Sequence, residues 1–513
     1  MKKKLLATLI VAAIMVTALS GCAGKGSASG QSSSGAETTG GTVSEANDSN
    51  SAADEEPYEA TLMYYVMDEA ATGTQAVEDR FNELTMEALN MKVDLMPVTM
   101  GTYNQQIELM LSGGEDIDIF PLGTSRASQY VDAQYILDLS GYLDEYAPDA
   151  LEIIGLDDIK CCSIGDFIWA FPVMMERTHA TCFVLRKDIL DELGIDVSGI
   201  SSMDGMTEVF AKVKEAYPDM TVFGGQYNMT VPVQSMHVDT LGDRLGVLDN
   251  YAENTTVVNY FETDTYKHMI ELTREWFEAG YISKDLATSQ DTGEALMKAG
   301  NLFSYVCNSK PNTAEEKSEQ VGYDVVVVHV NDLFLSTSGT AIAGYAVNAH
   351  AKDPAKAVQL YNWIISTKEA NDLLNWGVEG VDWVEAEDGT ATYPEGVDAQ
   401  SVSYHQNFGY FQPNQQNGHV WTGTSPDVWE QYQTARDSAK VSSAYGFAFD
   451  SSPVINEVAA LKAVRDQYEF TLASGSVDPA TGIQEFNDAL YEAGLQEVID
   501  EKQRQLDEWL ANQ

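Results

Sequence analysis

The sequence predicts an α/β fold in which helices cover a parallel sheet. Three observations lead there. Strand-like and helix-like patterns alternate between residues 60 and 120 in the order strand, helix, strand, helix, strand. Tyr323–Val330 is a continuous apolar run, the kind of strand buried on both faces. The chain has 513 residues, enough for two large lobes or several small domains.

In chain order, Lys2-Lys3-Lys4 and an apolar run from Leu5 to Leu19, broken only by Thr8 and Thr17, read as a secretory signal. The run is marginal in length for a spanning helix. Its ending, Leu19-Ser20-Gly21-Cys22, resembles a bacterial lipobox, in which Cys22 carries a diacylglycerol and becomes the mature N-terminus after residues 1–21 are removed. Residues 22–57 are Gly, Ser, Ala, Thr and acids with almost nothing to bury, a disordered tether on this reading. As a flexible coil it spans on the order of 30 Å, enough to lift a globular body off a membrane.

Ordered sequence begins at Ala60–Val66, a strand rich in β-formers. Val77, Phe81, Leu84 and Ala88 then recur at helical spacing behind Thr74 as cap. Met91–Val98 alternates as a strand. Thr102 to Gln105 reads as a capping box for a helix with Tyr103, Ile107, Met110 and Leu111 on one face, stopped by Gly113-Gly114. Asp116–Phe120 is a short strand. In such sheets ligands sit beyond the carboxyl ends of the strands, which gathers Met67-Asp68, Met100–Tyr103 and Leu122–Ser125 around one crevice. Downstream, Asp264 opens an amphipathic helix. Asp353-Pro354 supplies an N-cap and first helical position, and Ser366 to Glu369 reads as a second capping box. Three further amphipathic stretches close the chain: Val454–Leu472, Pro479–Tyr491 and Leu495–Leu510.

The net charge is -50, and becomes about -53 without the three signal lysines. Such a surface repels nucleic acid and anionic lipid, so neither is expected as a partner, and solubility accounts for the charge. Besides Cys22 the cysteines are Cys161, Cys162, Cys182 and Cys307; their spacing fits no zinc pattern, and reduced buried thiols are expected. No D-x-D-x-D-G loop is present, His405 and His419 are too far apart for a helical metal pair, and neither metal nor cofactor is expected.

An ordered set of segments carries a resemblance: Ser112–Phe120, Ile136–Ser140, Ile168–Pro172, Ala295–Asn301, Gly344–Asn348 ahead of Asp353-Pro354, and Gly377–Trp383. Over most of residues 58–385 the chain resembles extracellular solute-binding proteins of the maltose-binding-protein-like kind, the receptor subunits of ABC importers. Residues from about 401 to 513 resemble the C-terminal extension of a lipoprotein subgroup. The resemblance implies a two-lobe periplasmic-binding-protein-like fold of type II with an interlobe cleft. Crossings are then expected near Val173–Thr178, Gln320–Tyr323 and Ala349–Asp353. Lobe one would hold residues 58–173 and 322–349, and lobe two residues 178–321 and 350–513, with the extension helical.

It also implies a non-enzymatic, lipid-anchored monomer on the outer face of the cell membrane, delivering a solute to permease subunits. An oligosaccharide is the first expectation, with a modified sugar or peptide behind it. Stacking of sugar CH groups needs flat apolar faces, and hydroxyls need carboxylates and amides. Ligand contacts are therefore expected from Asp68, Tyr103, Thr124, Ser125, Trp169, Glu176, Arg177, Trp376, Trp383 and Tyr410, with core packing the alternative for each aromatic. The alternative functions are an extracellular glycoside hydrolase using two carboxylates, or a surface solute sensor. No G-x-S-x-G, H-E-x-x-H or Cys/His catalytic pattern supports an enzyme.

Overall fold

The computed structural model describes residues 56–66, 71–225, 237–286, 289–406 and 412–513. The signal, Cys22, most of the tether, Asp68 and Tyr410 lie outside the described residues.

The first sheet grows from a local β-helix-β unit. β1 (Tyr58–Val66) and β2 (Met91–Thr99) pair in parallel over nine residues, from Tyr58↔Met91 to Val66↔Thr99. The connecting helix Thr74–Leu89 buries Val77, Phe81 and Thr85, one stripe at four-residue spacing, and stops where Asn90 turns left-handed at φ +53°. Helix Met100–Gly113 follows β2 and buries Tyr103, Ile107 and Leu111. It starts two residues ahead of the predicted capping box: Thr102 lies inside the first turn and its hydroxyl bonds to Thr99. β3 (Ile119–Leu122) joins β1 in parallel. The hairpin of β4 (Ser163–Ile164) and β5 (Phe167–Ile168) precedes β6 (Phe171–Pro172).

The chain then passes through β7 (Thr178–His179) into a second sheet. Here β8 (Thr181–Arg186) is buried throughout, β9 is Thr221–Phe223, β10 is Leu302–Asn308 and β11 is Val325–His329. Their order is β11-β8-β10-β9, with β10 and β11 antiparallel to β8 and β9 parallel to β10. The chain returns through β12 (Phe334–Leu335) to β13 (Gly344–Val347), which completes the first sheet in the order β2-β1-β3-β13-β6. β14 (Val384–Glu385) and β15 (Ala391–Thr392) form a hairpin. β16 (Lys440–Val441) then pairs with β12, giving a third, three-stranded sheet β16-β12-β7. Each of its strands is one of the three passages between the large sheets.

This placement corrects the expected lobe boundaries in two places. The apolar run 325–328 pairs with β8, Val325 opposite Arg186 and Val328 opposite Phe183, so it belongs to the second sheet. The second crossing is therefore at 330–344, through β12, and not at Gln320–Tyr323. Residues 350–420 were expected in lobe two, yet helices Pro354–Ser366 and Lys368–Trp376 cover the first sheet. Tyr361 stacks on Phe171 at 4.5 Å and Trp363 meets Phe81 edge-on at 5.5 Å. The third crossing is then not Ala349–Asp353 but helix Val428–Ser438 with β16. Helical periodicity defines a buried face without saying which sheet receives it, which is why these boundaries could not be read locally.

The three final helices, Ile455–Ala473, Pro479–Glu492 and Leu495–Ala511, join the core of the second sheet through Leu461, Phe486 and Leu506. That core centres on Trp276, whose ring meets Phe210 at 4.9 Å and Phe223 at 5.4 Å while its Nε1 donates to Thr207 Oγ1 at 2.9 Å. The four cysteines among the described residues are free thiols, with Cys182 Sγ 3.6 Å from Cys307 Sγ across β8 and β10. Trp276→Ala is expected to cost about 3–5 kcal/mol, read as a lower urea midpoint with an unchanged slope; a cost below about 1 kcal/mol would show that this cluster is not the centre of the second core.

Candidate interlobe binding site

Strand directions locate the cleft. In the first sheet β6 runs parallel to β1–β3 and leaves for β7 at its carboxyl end, so the carboxyl ends of β1, β2 and β3 lie on the side of the crossings. In the second sheet β8 enters from the crossing at its amino end, and β10 and β11 run opposite to it. Their carboxyl ends therefore face the same junction. Both sheets present the edge at which α/β proteins bind ligands.

On the first-sheet side, Thr99 and Thr102 share a hydroxyl contact at 2.8 Å. Thr124 is half-buried and its hydroxyl donates to the Ala341 carbonyl, whereas Ser125 is exposed at the start of its helix. Ile342 beside them is 57 % exposed. Ser403 on one stretch and residues 413–416 on another are bonded to this side. Gly73 N donates to Ser403 O at 2.9 Å on the first, and Met174 N to Pro413 O at 3.0 Å and Gln416 Nε2 to Met175 O at 3.3 Å on the second. Ser403 thus lies beside the start of the first helix, and Pro413 and Gln416 lie beside the first crossing.

On the second-sheet side a cavity of about 430 Å³ opens at the ends of β10 and β11, lined by Ser309, Lys310, His329 and Leu333 and by Glu430 and Gln431 of the third crossing. Ser309 Oγ and His329 Nε2 are 2.5 Å apart. Lys310 Nζ pairs with Glu316 at 2.6 Å, and the Glu176 carboxylate also acts on it. Burial alone would push the Lys310 pKa down; the two glutamates outweigh it and hold it above the usual lysine value. Burial lowers that of His329. Among the described residues no carboxylate is bonded to the other His329 nitrogen, so the Ser–His contact lacks the third member of a hydrolytic triad. Nor, among the described residues, is any group of three His, Cys, Asp or Glu placed to hold a metal. Hydroxyls, an amide, Lys310 and the carboxylates of Asp427 and Glu430 line this open edge, groups able to pair the hydroxyls of a solute.

The aromatic residues singled out in the sequence are packed inside. Trp169 is 1 % exposed, its backbone N bonded to Cys162 O, within the cluster of Phe120 and Tyr130. Tyr103 is buried with its hydroxyl on Pro121 O. Trp376 and Trp383 share a small core with Ala391, their Nε1 atoms donating to His419 O at 2.9 Å and Gly377 O at 3.1 Å. None of the four offers a free face here, so the expected stacking on Trp169 and Trp383 is corrected to core packing. Thr124, Ser125 and Glu176 do reach the junction. Ser309, Lys310 and His329 were missed, because short polar positions at strand ends carry no periodic signal.

Arg177 is at the junction but not available to a ligand. Its guanidinium and the Asp158 carboxylate are each 2 % exposed and form an ion pair. Arg436 adds a second contact to Asp158 at 2.7 Å and the Tyr445 hydroxyl a third at 2.5 Å, while Tyr445 also reaches Thr340 Oγ1 at 2.9 Å. Arg177, Thr340 and Arg436 come from the first, second and third crossings. Burial works against the Asp158 anion, but Arg436, Arg177 and Tyr445 outweigh it and keep its pKa below the usual carboxylate value.

A family model described as a bacterial extracellular solute-binding protein matches residues 53–371. The chain belongs to that family. A second model, a domain of unknown function, matches residues 443–511, the helices beyond the third crossing. A "Carbohydrate ABC transporter substrate-binding protein" of Streptococcus pneumoniae is 24 % identical over 90 % of this chain and 94 % of its own. Among solved structures, the N-glycan transport solute-binding protein NgtS of S. pneumoniae superposes with a TM-score of 0.78 at 23 % identity, covering 89 % of this chain and 99 % of that one. An extracellular solute-binding protein of Bifidobacterium longum subsp. infantis gives 0.61 at 16 %, with coverages of 88 % and 98 %. These likenesses make the fold that of two-lobed, type II solute-binding proteins.

In this solute-binding protein the Asp158 cluster should be indispensable to the junction. Asp158→Asn leaves two guanidiniums short of their counter-charge and is expected to cost about 3–5 kcal/mol of stability at pH 7. Because the folded pKa of Asp158 is depressed, its contribution is complete above the unfolded value near 4 and lost as pH falls through the folded one. The difference in melting temperature between wild type and variant should therefore shrink below about pH 4. A difference constant from pH 7 to pH 3 would contradict this role.

Proposed function

We propose that this solute-binding protein is a lipid-anchored receptor that captures an oligosaccharide between its lobes and delivers it to an ABC permease. The observation that carries the reading is the extent of the fold likeness: all but 1 % of the NgtS chain is covered. NgtS has been solved with Man1GlcNAc and with Man5GlcNAc, so glycans of that kind are the first solutes to try. The present structure superposes less well on those two complexes, with TM-scores of 0.70 and 0.68, than on NgtS solved without a named glycan, 0.78. A cleft that stands open until solute arrives would produce that difference.

The polar lining supports the same solute class. Thr99, Thr102, Thr124, Ser125 and Ser309 supply hydroxyls and Glu176 a carboxylate. Leu19-Ser20-Gly21-Cys22 supports anchoring through Cys22, with residues 22–57 as the tether and the lobes working as a monomer outside the membrane.

Thermal shift with mannose- and N-acetylglucosamine-containing oligosaccharides, alongside peptides, tests the solute. Ligand at a hundred times its Kd adds about 2.7 kcal/mol to the native state, a rise of a few degrees. A rise with peptides alone would overturn the oligosaccharide reading. Cys22→Ser should release the protein from membranes at unchanged solute affinity; a variant that stays membrane-bound would refute the anchor.

A further inference from the structure

Positive φ angles at non-glycine residues are concentrated in one stretch. Of eight such residues described, six lie between 237 and 252: His237, Leu241, Arg244, Asn250, Tyr251 and Ala252, at φ between 45° and 66°. Three in succession are unusual, since the left-handed region crowds Cβ against the backbone. Such a segment persists only where its surroundings over-determine it.

The surroundings come from the C-terminal helices. Lys502, 0 % exposed, places its ammonium on Asp243 Oδ1 and on Gly246 O at 3.1 Å. Arg465 donates to Asp243 O at 2.5 Å. Glu469 accepts from Arg244, with both side chains 11 % exposed. Gln503 closes the far end, accepting from Val257 N at 2.8 Å and donating to Thr255 O at 3.0 Å. A buried ammonium is tolerated only with such partners. Lys502 and Arg465 thus fasten both the side chain and the backbone of one residue.

The other face of the segment rests on the crossings. Thr240 Oγ1 meets Ser338 Oγ at 3.2 Å, and the Tyr251 hydroxyl accepts from Asp332 N at 2.9 Å. The Tyr251 ring lies edge-on to Phe334 of β12 at 5.7 Å and beneath the Lys440 ammonium of β16 at 3.9 Å. Asp239 accepts from Ser442 Oγ at 2.5 Å, just beyond β16. One short segment therefore joins the terminal helices to the second and third crossings.

We propose that the region 443–511, which matches a domain model of unknown function, is a clamp that sets the hinge: Lys502, Arg465 and Glu469 hold residues 237–252 in their left-handed backbone, and Thr240 and Tyr251 pass that rigidity to the crossings. The part that concerns solute rests on the lobe closure proposed above; the clamp itself does not. Lys502, Arg465 and Glu469 are positioning residues.

Hydrogen exchange read by mass spectrometry on the full chain tests this. Lys502→Met and Glu469→Gln should each speed exchange in 237–252 by tenfold or more and extend the effect to 331–340. Amides of β8 and β10 should stay unchanged, as should the whole pattern in Arg504→Gln, an exposed pair on the same helix as Lys502. A rise spread evenly over the second sheet, or confined to the terminal helices, would reduce the region to ordinary core packing and overturn the proposal, as would no rise at all. Should Lys502→Met fail to fold, Glu469→Gln alone decides. Man1GlcNAc is the solute probe: where wild type binds it, both variants should bind at least several-fold more weakly with melting temperatures within a few degrees. A wild type indifferent to that sugar would count against the solute reading while the exchange data still judge the clamp.

Discussion

Two large sheets assembled from non-contiguous pieces need a junction that is firm in one place and free elsewhere, and Asp158 supplies the firm place. Its carboxylate takes contacts from Arg177, Arg436 and Tyr445, and Tyr445 passes on to Thr340, so all three crossings are tied to one helix of the first sheet. Taking such charges out of water is costly, and the anion remains charged because two guanidiniums and a phenol surround it. With the crossings anchored on that side, relative motion of the second sheet falls to the short strands β7, β12 and β16. Hinges of this kind are a few element-terminal residues that absorb the change in backbone angles.

Much of the fold was legible because it is local. The alternation in Met91–Val98 and the spacing of Val77 and Phe81 are properties of nearest neighbours, and both elements formed where periodicity placed them, although Thr85 completes the buried stripe in place of Leu84 and Ala88. Lobe membership is not local. Nothing in Pro354–Ser366 says that Tyr361 will stack on Phe171 rather than join the second core, and Val325–Val328 reads the same whether it pairs with β8 or with β3. Both misplacements came from boundaries that the resemblance implied and that no local pattern in these residues could check.

The site was less legible still. Trp169 and Trp383 were attractive because sugars need flat faces, but a buried ring and a binding ring have the same letter, and burial is decided by distant partners such as Phe120 and Ala391. Asp158 sits in Leu156-Asp-Asp-Ile-Lys160, which reads as a solvated helical turn; its partners lie 19, 278 and 287 positions away. What the sequence did locate were the loops at the carboxyl ends of β2 and β3, since parallel-sheet grammar specifies those ends whatever occupies them.

Solute capture as proposed requires two lobes to close about a tied hinge. Solution scattering of the full chain with and without a saturating oligosaccharide, at a concentration where calorimetry shows the site full, measures that directly. Closure predicts a smaller radius of gyration in the bound protein. A radius unchanged at full occupancy would contradict it and leave a rigid binder in place of a hinged receptor.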